Sequence, residues 1–163
     1  MAFKASILGR EALMAKLDKV APAATKYAND AKLKVAEDAA ERMRNAAPRG
    51  ATLEYAESIT GDLLKSHPNA HQVGITQTKD PNAAGIFAGW IWRFLEFGTA
   101  PHNVAKGGGT ALGKASLAGG GGALHPGTRA QPHIFPTWRS YKKTAKQQIR
   151  AAVRKGVREA MGK

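Results

Sequence analysis

The sequence predicts an α+β fold: a long N-terminal helix and a basic C-terminal helix packed on a small antiparallel sheet, with a long glycine-rich loop. Three observations predict it. Apolar residues recur at three- and four-residue steps near both ends of the chain, the signature of two amphipathic helices. Between them, two short stretches with strand-like composition flank a turn-rich tetrad. A run from Ala100 to Ala130 then holds 9 of the 18 glycines and shows no period. The 163 residues, 43% of them hydrophobic, suffice for one domain, 1–163, with one core.

Glu11 to Ala46 reads as the N-terminal helix. Leu13, Leu17, Val20, Ala24, Tyr27, Ala31, Val35, Ala39 and Met43 mark one apolar face. Its many alanines permit close approach of a sheet or a second helix. Pro22 lacks a backbone donor and is expected to start a new segment or bend the helix. Ala47-Pro48-Arg49-Gly50 is a stop signal.

Ser58 to Lys65 and His71 to Thr78 flank Ser66-His67-Pro68-Asn69, which predicts an antiparallel hairpin over 58–78. Val73 and Ile75 alternate with polar neighbours, as a half-buried edge requires. Lys79-Asp80-Pro81-Asn82 is a link. The next stretch, Ile86 to Phe97, is the richest in apolar residues. Phe87, Trp90, Ile91, Phe94 and Leu95 have helical spacing, whereas Trp90, Trp92 and Phe94 would share one side of a strand; the short helix is favoured, ending near Glu96-Phe97-Gly98-Thr99, with Gly98 allowing the reversal out of it. Trp90, Trp92 and Phe94 read as core.

The loop from Ala100 to Ala130 includes Lys106-Gly107-Gly108-Gly109 and Gly119-Gly120-Gly121-Gly122. Glycine loses the most freedom on ordering, so the isolated loop is expected to be mobile. Its length inside a small domain calls for a function. Gln131-Pro132-His133-Ile134-Phe135-Pro136 reads as extended, and Pro136 suits the first turn of the C-terminal helix, 136–161. Trp138, Tyr141, Ala145, Ile149, Ala152, Val153 and Val157 form its buried side. Lys142, Lys146, Arg150, Arg154 and Arg158 follow at four-residue steps around the opposite flank, where like charges repel.

Charge is unevenly placed. Of the net +13, residues 1–99 supply +2 (13 basic, 11 acidic) and residues 100–163 supply +11 (12 basic against Glu159). Such asymmetry points to nucleic acid, an acidic protein surface or a membrane surface. Lysine and arginine also serve solubility alone, which stays an alternative for this helix; against it stands the scarcity of acids, with only Glu159 after Glu96. Contact with nucleic acid would run through phosphates. No aromatics interleave the basic positions to stack on bases.

Enzyme chemistry finds no foothold. Without cysteine there are no disulfides, thiolate nucleophiles or cysteine-held zinc. The five histidines have no carboxylate cluster beside them, so no metal or catalytic residues are assigned. Glu37, Asp38 and Glu41 lie among Lys32, Lys34, Arg42 and Arg44 as a solvated face. The glycine runs lack the Gly-Lys-Ser/Thr ending of a phosphate-cradling loop, so no cofactor is expected. The N-terminus lacks the pattern of a secretory signal, and no apolar run is long enough to span a bilayer. A soluble protein made in the cytoplasm is the expectation.

Several pieces occur in a familiar order: a long helix ending in Ala47-Pro48, a segment ending in Glu57-Ser58-Ile59, an aromatic stretch closing on Glu96-Phe97-Gly98-Thr99, a variable loop, Gln131-Pro132-His133-Ile134-Phe135-Pro136, and a final helix. This order resembles the small head–tail joining proteins of long-tailed bacteriophages, variously called tail-completion, neck or minor tail proteins. The loop is longer and richer in glycine than theirs, and His133-Ile134-Phe135 stands where they have a Pro-Phe pairing.

The resemblance implies a non-enzymatic subunit of a ring in the virion neck, between portal-side connector and tail-side ring proteins, made in the host bacterial cytoplasm. It implies that Glu96, Phe97, Gly98 and Thr99 form a fold-defining corner. Gly107, Gly108, Gly109, Gly120, Gly121, Pro132 and Phe135 are the candidates for subunit contact. Lys142, Lys146, Arg150, Arg154 and Arg158 are the candidates for contact with packaged DNA or an acidic partner. The alternative reading is a basic nucleic-acid-binding protein that uses its C-terminal helix.

Overall fold

The computed structural model describes residues 10–50, 52–67, 72–74, 78, 80, 82–104, 109–118 and 124–162. The chain is α+β. Two long helices, α1 (Arg10–Ala46) and α5 (Ile134–Ala160), lie antiparallel as the largest contact of the fold. Between them come α2 (Glu54–Glu57), β1 (Thr60–Leu63), β2 (Ala84–Phe87), α3 (Trp92–Phe97), β3 (His102–Asn103), α4 (Ala111–Ala118) and β4 (Leu124–His125).

The core follows the predicted periodicity. Val35, Ala39 and Met43 of α1 are buried, joined by Ala36 and Ala40. One cluster sets Met43 and Ala40 against Ile59, Ala88, Trp92 and Ile134; a second sets Val35 and Ala39 against Tyr141 and Ala145. The apolar stripe thins toward the start of α1, where Leu17 is 51% exposed. Helix α1 is continuous across Pro22 and does not start a new segment there.

Small residues bring the long helices together. A Cβ on Gly156 of α5 would stand 2.8 Å from Tyr27 Cδ2 and 2.9 Å from the Ala23 carbonyl oxygen, so only glycine fits that crossing. Tyr27 also donates a hydrogen bond to Glu159, and Tyr141 donates to Asp38 at 3.2 Å. The β1 strand lies so close to α1 that a Cβ on Gly61 would meet the Ala36 backbone.

The sheet departs from the expected 58–78 hairpin. Strand β1 pairs antiparallel with β2, from Thr60 opposite Phe87 to Leu63 opposite Ala84. Of the stretch expected to pair with β1, Gln72 instead bridges Phe87, and the Val73 N–H donates to the Ile86 carbonyl at 2.9 Å. Residues 71 and 75–77 lie outside the described residues. Phe87 of β2 is buried and Ile86 packs against the core, which favours pairing along β2. The expected helix over 86–97 accordingly shortens to α3, with its first residues given to β2.

Of the glycine-rich segment, residues 100–104, 109–118 and 124–130 are described, and they form an arm. Strands β3 and β4 pair antiparallel, His102 opposite His125 and Asn103 opposite Leu124, with α4 between them in sequence. A Thr99–Thr128 bridge closes its base. The stretch from Gln131 to Pro136 is not extended throughout: α5 begins at Ile134, two residues before the expected 136 start, and Pro136 falls in the first turn where its missing donor costs nothing.

Candidate interaction surfaces

The Glu-Phe-Gly-Thr segment joins three parts of the fold, one residue at a time. Glu96 ends α3 with its side chain only 3% exposed. Its Oε2 accepts the backbone N–H groups of His133 and Ile134 at 2.8 and 2.9 Å, and its Oε1 accepts that of Phe135 at 3.0 Å. A helix start leaves its first backbone donors without partners and gathers partial positive charge there. Glu96 supplies both acceptor and charge from another element. His133, the capping residue itself, makes no side-chain capping bond.

Gly98 has φ 74°, and a Cβ there would stand 2.6 Å from the Thr128 carbonyl oxygen and 2.8 Å from the Ala130 nitrogen. Left-handed backbone and lack of space both require glycine. Thr99 exchanges backbone bonds with Thr128 at 3.0 and 3.2 Å, and its hydroxyl accepts the Thr128 N–H at 2.9 Å. The Gln131 N–H donates to the Leu95 carbonyl at 2.7 Å. The end of α3 thus fixes both the base of the arm and the start of α5.

Behind this corner lies a polar pair, buried His133 and half-buried Tyr55, that the sequence did not suggest. His133 is 3% exposed. Its Nδ1 donates to the Gln131 carbonyl at 2.8 Å, which leaves Nε2 to accept the Tyr55 hydroxyl at 2.6 Å. The Tyr55 hydroxyl is pushed up to about 12 from its usual 10.0, by burial first and by the Glu96 charge second. The pair fixes the ring of His133; it faces no cleft in which a substrate would sit. Among the described residues no group of three or more acidic or histidine side chains is placed to hold a metal ion.

The aromatic residues divide between core and surface. Trp92 is buried, but Trp90 and Phe94, expected in the core, are 65% and 48% exposed, with their rings edge to face at 5.8 Å. Phe97 is 64% exposed and leans on Phe135, centroid to centroid 5.9 Å. Trp90, Phe94 and Phe97 follow four- and three-residue steps, so they share one side of α3 and its lead-in. The short helix lies against the core on the Trp92 and Glu96 side and turns this side outward. Val104, Leu112 and Leu124 on the arm are likewise exposed. Single exposed apolar residues are ordinary, whereas Trp90, Phe94 and Phe97 stand together on one side.

Of the candidate subunit contacts, Pro132 is exposed and Phe135 half-buried, while Gly109 lies exposed before α4. Gly107, Gly108, Gly120 and Gly121 lie outside the described residues. Lys142, Lys146, Arg150, Arg154 and Arg158 are all exposed along α5, clear of its buried face.

A concavity of about 410 Å³ lies between α1, α5 and β2, lined by Val35, Met43, Ile86, Ile134, Trp138 and the stem of Lys32. Lys32 Nζ is taken up by Asp80 at 2.6 Å. The groove is otherwise apolar and brings no acid, base and nucleophile together. No helix among the described residues is long and apolar enough to cross a membrane.

Comparison with known proteins gives a family match. The family model HK97-gp10-like, described as "Bacteriophage HK97-gp10, putative tail-component", covers residues 11–98, just over half of the chain. That span runs from α1 through Gly98 and stops at the base of the arm. No curated protein and no solved structure matches.

Proposed function

We propose that this chain, which belongs to the HK97-gp10-like family of bacteriophage tail components, is a structural subunit of the virion neck. In this reading it helps to join head to tail, as one member of a ring, and has no bond-making chemistry of its own. The single observation that carries the reading is the exposed aromatic group of Trp90, Phe94 and Phe97 beside an arm that projects its own apolar residues. A ring subunit needs two unlike surfaces, each meeting its complement on the next copy. The arm, from β3 through β4, is one such surface; the aromatic side of α3 is the other.

The corner at Glu96 to Thr99 supports the same reading. It holds the aromatic group and the root of the arm in one rigid frame, so that both surfaces keep a fixed relation around a ring. The expected neighbours are portal-side connector proteins on one side and tail-side ring proteins on the other, within the virion.

Native mass spectrometry and negative-stain imaging of the full chain, alone and with its neck partners, test this. A closed ring, or recruitment into one by either partner, is the expected result. A persistent monomer with no affinity for portal-side or tail-side rings would overturn it.

A further inference from the structure

The outward face of α5 carries a straighter row of cations than the four-residue ladder suggests. Each helical residue turns by about 100°, so the ladder drifts and its ends, Lys142 and Arg158, lie about 160° apart. Arg139, Lys143, Lys146, Arg150 and Arg154 follow steps of four, three, four and four. They stay within an arc of about 80° over roughly 22 Å of axis, turned away from the buried Tyr141, Ala145 and Gly156. All five are exposed. Among the described residues none of them forms an ion pair; the ion pair on this helix, Lys155 with Glu159 at 3.8 Å, lies outside the row. Arg139 reaches only a carbonyl of its own helix, that of Phe135.

We propose that this row binds the phosphate backbone of duplex DNA, without regard to sequence. The surroundings favour DNA over an acidic protein. On one flank of the row Ser140, Thr144, Gln147 and Ala151 are exposed and include no large apolar side chain; on the other flank and past its end, Val153 and Val157 are only partly exposed. A protein interface is built around apolar and aromatic anchors with charge at its rim. Phosphate contacts use lysine and arginine helped by serine, threonine and glutamine. Duplex DNA carries about one charge per 1.7 Å of axis, so a row of this length lies against a dense anionic surface. No aromatic ring stands in the row to stack on an unpaired base, which disfavours single strands.

This inference goes beyond the neck reading and is tested without a ring. Fluorescence anisotropy measures the isolated full chain against a labelled duplex of about 24 base pairs, in salt from about 50 to 300 mM. The expected slope of log affinity against log salt is about −4 to −5, unchanged for a second duplex sequence. Lys143→Ala is expected to lower that slope by about 1, and Lys142→Ala or Arg158→Ala by less than half as much.

Reversing Lys146, Arg150 and Arg154 together to Glu is expected to weaken binding by about 100-fold or more. The same reversal at Lys26, Lys34 and Arg49, exposed cations on and after α1, is expected to cost less than about tenfold. Circular dichroism melts of each variant report that it is folded. Three outcomes overturn the proposal: no duplex binding at the lowest salt, equal loss from both triple reversals, or poly-glutamate competing as well as duplex of equal charge. The last assigns the row to an acidic protein.

Discussion

The carboxylate of Glu96 and the backbone N–H of Ile134 meet at 2.9 Å, 38 positions apart in sequence. Helix α5 is therefore capped from outside by the last turn of α3. Most caps are supplied by the residue just before the helix, and replacing such a cap costs about 1 kcal/mol. Glu96 serves three donors in a buried setting, and each donor left unpaired there costs about 1–3 kcal/mol. Glu96→Ala is expected to lose about 3 kcal/mol or more in urea unfolding. Glu96→Gln should fall between the two, because an amide keeps one acceptor and turns a donor toward a donor. A loss below about 1 kcal/mol for the alanine variant contradicts the capping account.

Gly98→Ala is expected to destabilise well beyond Gly74→Ala. It meets both a strained backbone and contacts to Thr128 and Ala130 that have no room to move. Gly74 also has positive φ, 86°, but nothing within 4 Å of the added carbon. Gly74→Ala should cost only about 1 kcal/mol, the strain alone, and Gly98→Ala at least twice that. Paired thermal melts decide the order.

Gly156→Ala sets two effects against each other. Helix propensity favours alanine by about 1 kcal/mol. The new carbon, however, would press on Tyr27 and the Ala23 carbonyl, and overpacking of this kind costs about 1–3 kcal/mol. The expected net result is destabilisation, with α1 and α5 pushed apart. A rise in melting temperature would show that the crossing is looser than its geometry.

The Tyr55 hydroxyl gives a pH signature. In the unfolded chain it ionises near 10, whereas in the fold it is held up to about 12. Between these values the unfolded state binds fewer protons than the native one, so stability falls as pH rises through that window and is untouched by this group below it. Tyr27 and Tyr141 are raised too and add to the slope in the same direction. Tyr55→Phe is expected to flatten the fall between about pH 10 and 12 relative to its own stability at pH 8. An unchanged profile in melts across that range counts against the Tyr55–His133 pair.

Trp90→Ser with Phe94→Ser separates folding from assembly. Both rings are largely solvent-exposed, and substitutions at such sites change stability by about 0.5 kcal/mol. Melting of the isolated chain should hardly move, while ring formation or recruitment into a neck complex is lost. Intact assembly by native mass spectrometry would remove this side of α3 from the interface.

Periodicity made the long helices legible, because burial on one side of a helix repeats every few residues. Trp138, Tyr141 and Ala145, as well as Val35, Ala39 and Met43, lie where that period places them. Pairing between distant short segments left no such trace. Ala84-Gly85-Ile86-Phe87 is too brief and too small-sided to announce itself as the partner of β1, and a nearby proline turn suggested a closer one. His102-Asn103 finds Leu124-His125 across a glycine-rich excursion with no pattern of its own.

At the corner, motif order pointed to Glu96, Phe97, Gly98 and Thr99 but gave no chemistry. A cap that acts across 38 positions is invisible to any local rule, and so is a histidine whose partner, Tyr55, lies 78 positions away. In the aromatic stretch, strand-like and helical periods overlapped. Only the helix chosen by the fold separates buried Trp92 from exposed Trp90 and Phe94.

Thr99 and Thr128 pair across the two ends of the arm and close its stem. Extra residues near the tip leave the stem where it is, and doubling such a loop costs only about 0.6 kcal/mol of closure entropy. The tip can therefore be trimmed, lengthened or replaced by a foreign epitope while the helices behind it keep their places. A chain built this way is refitted to a differently shaped neighbour by rewriting a single cassette.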